Sequence, residues 1–191
     1  MRQSGKLCAL FLLLPGIALA HTGTGTTSGV LHGLMHPVQG LDHLLAMVAV
    51  GLWAAGQSRR ALWVVPATFV GMMVMGSLLG FFGVAVPFVE TGILASVLVL
   101  GLLLAGAFKL PLTVTGLIVG VFAVFHGVAH GAELPATTGA TSYVAGFATA
   151  TAALHLAGVG LGLLLRQVNL QTVTRMGGAA IAMGGVYLAI A

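Results

Sequence analysis

His36-Pro37-Val38-Gln39-Gly40-Leu41-Asp42-His43 places two imidazoles and a carboxylate at the mouth of an apolar run. A carboxylate at bilayer depth costs about 2.5 to 3.5 kcal/mol on insertion scales, so Asp42 needs a partner. A second cluster answers it some ninety residues later, Phe125-His126-Gly127-Val128-Ala129-His130-Gly131-Ala132-Glu133, again pressed against one end of a hydrophobic segment. The expectation is that the two clusters meet and hold a divalent metal ion. The same stretch decides the local fold. Proline pushes the residue before it out of the helical region, so the chain is expected to break at His36-Pro37. That leaves a half-helix over 29–35 and a spanning helix from about Pro37 or Leu41 to Gly56. A discontinuous helix at membrane depth is tolerated where its freed backbone faces protein or a water-filled cavity, which favours a site over a lipid-facing kink.

The surroundings of this stretch are those of a membrane protein. Of the 191 residues 59% are hydrophobic and only 5% are charged, against about a quarter charged in soluble domains. Long, nearly uncharged runs recur without the period-two alternation of a barrel, so the expected fold is all-α, an integral membrane helical bundle. The 29 glycines point to close helix packing through small residues. Five spans are drawn after the broken first one: Ala61 to Gly83 with Pro66 inside, Phe88 to Phe108, Pro111 to Gly131, Thr141 to Leu165, and Val173 to Ala191. Residues 29–191 then form a single domain of six transmembrane helices.

Residues 1–20 carry Arg2 and Lys6, a short apolar core, a Pro15-Gly16 break and Ala18-Leu19-Ala20. This is the layout of a signal peptide cleaved after Ala20; an uncleaved first helix is the alternative. Cys8 lies inside the signal, so the mature chain has no thiolate ligand and no disulfide. Residues 21–28 read as an exported flexible tail, with Ser28 as a helix cap. As the new amino terminus, His21 either chelates a metal through amine and ring or is a plain flexible end.

The remaining basic residues, Arg59, Arg60, Lys109, Arg166 and Arg175, fall in alternate loops that the positive-inside rule puts in the cytoplasm. The mature N-terminus, Asp42, Glu90, Glu133 and most histidines then lie on the periplasmic side of a bacterial inner membrane. There is no clustered basic face for nucleic acid.

His126 and His130 are one helical turn apart, and on a continuous helix Glu133 shares their face. Imidazole and carboxylate without thiolate suit Ni²⁺, Co²⁺ or Zn²⁺ better than Cu⁺. The metal site is read as His36, Asp42, His43, His126, His130 and Glu133. His155, inside the fifth span, either lines the path or makes an interhelical hydrogen bond. His32 reads as an interface residue or a part of the path, and Glu90 as a first-turn carboxylate or a part of the path. His32-Gly-x-x-His36 and His126-Gly-x-x-His130 share a pattern that hints at a repeat, although the copies sit at opposite ends of their helices. No His-Glu-x-x-His helix and no phosphate loop is present, and neither Ser77 nor Ser96 lies in a nucleophile motif, so no enzyme activity is read here.

At these residues the chain resembles the HupE/UreJ family of nickel/cobalt permeases, membrane proteins associated with hydrogenase and urease maturation. The match rests on His36-Pro-x-x-Gly-x-Asp42-His43 and Phe125-His126-Gly-x-Ala-His130-Gly-x-Glu133, together with Glu90 and Ser96 in the third span and His155 and Gly158 in the fifth. The resemblance implies a secondary permease or facilitated-diffusion channel importing Ni²⁺ or Co²⁺ as substrate, with the six named residues in the metal path. No organic cofactor is expected. The partners are the divalent ion, the lipid bilayer and metalloenzyme maturation machinery; the oligomeric state is left open. Two other readings stand beside it, a haem-binding electron-transfer protein with paired axial histidines and a metal-binding accessory subunit that does not transport.

Overall fold

The apolar runs become seven helices, and among the described residues there is no strand: α1 (Gly29–Gln39), α2 (Leu41–Gly56), α3 (Ala61–Phe81), α4 (Val89–Ala105), α5 (Leu112–Ala132), α6 (Ala140–Gln167) and α7 (Gln171–Ile190). The structure, a computed structural model, describes residues 29–134 and 139–191. The expected signal peptide, the tail with His21 and Ser28, and Pro135 lie outside the described residues.

The break in the first span sits at Gly40 rather than at His36-Pro37. Pro37 belongs to the last turn of α1, where its missing N–H forfeits one bond to the carbonyl four residues back and the helix ends before more is lost. Gly40 takes extended backbone angles (φ −88, ψ 117), and its carbonyl opens α2 by accepting from the Leu44 N–H at 2.9 Å. The two helices meet at 83°.

Helices α3, α5, α6 and α7 are each long and apolar enough to cross a membrane, and the bent α1–α2 pair makes a fifth candidate. The shorter apolar helix α4 has 17 residues. Large apolar side chains such as Trp63, Leu117, Met183 and Ile190 are exposed on the outside, the arrangement lipid requires. Helix α3 lies along α5, α4 along α7, and α6 along both α1 and α2. Glycine sets the closest of these approaches. A Cβ on Gly127 would stand 2.0 Å from the Met73 carbonyl oxygen, and one on Gly131 2.0 Å from that of Ser77, so α5 rests on the backbone of α3 at both turns. Gly33 of α1 meets Gly146 of α6 in the same way. The repeated His-Gly-x-x-His pattern is thus a shared packing device: the glycine after the histidine seats its helix against a neighbour.

The two ends of the bundle differ in charge. Arg59 and Arg60 occupy the turn after α2 and Lys109 the connection before α5. Arg166 donates to the Ala55 carbonyl at the end of α2, and Arg175 donates to the Ala105 carbonyl at the end of α4 at 2.8 Å. Gln57 ties this end together, donating to the Phe108 carbonyl at 2.8 Å and accepting from the Leu110 N–H at 3.0 Å. Asp42 at the start of α2, Glu90 at the start of α4 and Glu133 just past α5 lie at the other end by chain direction.

Candidate functional site

The bend at Gly40 turns α1 across the mouth of the bundle and brings His36 over the end of α5. His36 Nε2 and Glu133 Oε2 stand 2.9 Å apart. Helix α5 ends at Ala132, so Glu133 leaves the face expected of it. As a consequence its carboxylate reaches α1 and joins the two sequence clusters. From there a row of imidazoles runs inward. The His36 ring lies 4.8 Å from His130, His130 4.9 Å from His43, and His43 4.8 Å from His126, all edge to face. His126 and His130 are fully buried and His43 is nearly so.

Asp42 acts on this row through its neighbour. Its Oδ1 accepts from the His43 backbone N–H at 2.7 Å and stands 2.9 Å from His43 Nδ1. A carboxylate on one ring nitrogen leaves the other to a ligand, the usual support of a metal-binding histidine. Ser96 of α4 approaches His126 Nε2 at 3.0 Å. Several ring nitrogens are buried with no hydrogen-bond partner: His43 Nε2, His126 Nδ1, and both nitrogens of His130 and of His155. Orphaned polar atoms of this kind are rare in a finished interior and mark a place where something polar binds or passes. His36, His130 and His43 form a triangle whose third side, His36 to His43, is 6.1 Å, and His126 lies beyond His43; among the described residues no three His, Asp or Glu side chains are grouped to hold one ion.

Three aromatic residues of the site were not singled out in the sequence. Phe147 of α6 stacks flat on His130, with centroids 4.6 Å apart and planes 8° apart. Tyr143, one turn earlier, stands 5.9 Å from His36, and its buried hydroxyl has no partner. Phe69 of α3 separates His126, at 5.6 Å, from His155, at 5.0 Å. His155 therefore lies deeper than the row, behind an aromatic ring. A cavity of about 460 Å³ opens beside His130 between α3 and α6, lined mainly by apolar groups including Phe81, Tyr143 and Phe147. Of the remaining sequence candidates, His32 is exposed, 5.7 Å from the Tyr143 ring. Glu90 is exposed in the first turn of α4 and makes no hydrogen bond or ion pair among the described residues.

A helical bundle with an apolar exterior and a buried row of histidines opening at its acidic end defines a membrane protein built around a polar interior site. The chain belongs to the HupE/UreJ family: the model described as HupE / UreJ protein matches residues 9–188. It is 49% identical over 179 residues to the protein named Protein HupE of Rhizobium leguminosarum bv. viciae, covering 94% of this chain and 93% of that one. No solved structure matches it.

Proposed function

We propose that this protein is a permease or facilitated-diffusion channel that imports Ni²⁺ or Co²⁺ across the bacterial inner membrane for the maturation of a metalloenzyme such as a hydrogenase. The observation that carries the reading is the row His36, His130, His43, His126, whose buried nitrogens lack protein partners. Imidazole suits these borderline ions, and donors spread over successive ring contacts, no three of them grouped on one ion among the described residues, pass an ion where a closed cage would keep it. Counting the α1–α2 pair as one span and α4 as a short one gives six crossings. The basic end then faces the cytoplasm and the histidine row opens to the periplasm. Glu133 and His36 capture the ion at the mouth, the row takes over its hydration shell, and His155 receives it beyond Phe69. Rings in edge-to-face contact, with centroids 4.8 to 4.9 Å apart, leave no slot between them for a porphyrin plane, so the haem reading fits less well.

The test is nickel and cobalt accumulation in cells stripped of their own importers, comparing the protein with a His36→Ala, His130→Ala double variant at equal expression. Uptake that needs both histidines is the expected result. No uptake of nickel, cobalt or zinc by the intact protein overturns the permease reading. Adding His155→Ala separates a conducting path from a static binding subunit: flux should fall while Co²⁺ binding at the outer row is kept.

A further inference from the structure

Ser96 is buried in the middle of the bundle, on a helix that contributes no histidine to the row. Its Oγ lies 2.6 Å from the Ile93 carbonyl oxygen and 3.0 Å from His126 Nε2. A hydroxyl has one proton and two lone pairs. Two oxygens at 2.6 Å require that proton between them, because a carbonyl can only accept. The Ser96 proton is therefore committed to Ile93, and what the serine offers His126 is a lone pair. It follows that His126 must carry its own proton on Nε2 and donate it. The lone pair of the neutral ring is then on Nδ1, the nitrogen that is buried without a partner.

We propose that Ser96 is a positioning residue that holds His126 in the Nε2–H form and so presents Nδ1 as the atom that meets the metal ion. Asp42 acts likewise on His43 from the other side. Its carboxylate oxygen accepts from Nδ1–H and leaves Nε2, also buried and unpartnered, as the donor. The two rings stand 4.8 Å apart and nearly perpendicular, at 89°. Neighbouring histidines thus offer opposite ring nitrogens, each fixed by its own acceptor. Without the serine, His126 is free to place its proton on Nδ1, and that form has no lone pair for an ion on that side. The assignment of the proton rests on the hydrogen bonds alone, while the role in metal binding rests on the transport reading above.

The experiment uses the full chain in detergent micelles with ¹⁵N-labelled histidine rings, His126 being assigned by comparison with His126→Gln. In the metal-free protein the Nε2–H tautomer is expected for His126; the Nδ1–H tautomer overturns the proposal. In Ser96→Ala the His126 signals should shift toward a mixture of tautomers, with a Co²⁺ affinity about 10 to 100 times weaker, the usual loss when a residue that orients a ligand is removed. Ser96→Thr, which keeps the hydroxyl, should restore both. An unchanged tautomer and affinity in Ser96→Ala also overturn it. If the Nε2–H form is found in a protein that transports no metal, the transport reading fails and the proton assignment stands.

Discussion

On the proposed reading, the contact between Glu133 and His36 matters for function while contributing little to stability. Their side chains are 45% and 22% exposed, and ion pairs in contact with water contribute about 0 to 1 kcal/mol. Glu133→Gln is therefore expected to leave the thermal unfolding midpoint in detergent almost unchanged. Uptake of Co²⁺ should nevertheless fall by about tenfold, because the carboxylate both attracts the cation and holds His36 over the row. A fall in uptake matched by a fall in stability would mean that the residue serves the fold instead. His126 and His130 were legible as neighbours because a spacing of four residues repeats along a helix face, whereas Glu133, expected on the same face, lies past the end of α5. The partner of Glu133 was not legible, since that contact depends on where α5 stops. Phe69, Tyr143 and Phe147 were harder still. In a chain where most residues are apolar, an aromatic ring facing a histidine looks the same in sequence as one facing lipid.

At the scale of the helix, glycines decide how near the histidines come to their neighbours. Gly127→Val would drive a branched side chain into the Met73 carbonyl and force α5 off α3, whereas nothing lies within 4 Å of a Cβ placed on Gly116 of the same helix. The first substitution should destabilise by about 1 to 3 kcal/mol, the range for overpacking. Gly116→Ala should be neutral or stabilising by up to about 1 kcal/mol. Thermal unfolding of the two variants in the same detergent checks the contrast, and equal effects would remove the packing account of the His-Gly pairs. All the expected spans appear as helices because each apolar run is bounded by polar or proline-containing turns. The break in the first span lies a few residues past the expected His36-Pro37 because glycine, and not proline, decides it. A proline in a last turn costs a single bond, and it is Gly40 that supplies the extended backbone and the 83° turn.

For the whole molecule the decisive quantity on the proposed transport reading is the membrane potential. The acids lie at the histidine end and the basic side chains at the other, so on the proposed transport reading a cation would enter where the field of the protein attracts it and leave past positive charge. Among the described residues there is no Walker-type lysine and no nucleotide motif to supply energy at that step. An inside-negative potential supplies it directly: two charges moving through 100 mV gain about 4.6 kcal/mol, twice the single-charge value. At about 1.4 kcal/mol per factor of ten this sustains a gradient of roughly a thousandfold. In proteoliposomes carrying a potassium gradient, valinomycin should therefore accelerate Co²⁺ entry, read by a trapped fluorescent chelator, and reversing the gradient should slow it. Entry that ignores the potential and follows an imposed pH difference would replace the channel with an electroneutral exchange of metal for protons, in which the buried imidazoles exchange protons as well as bind the ion.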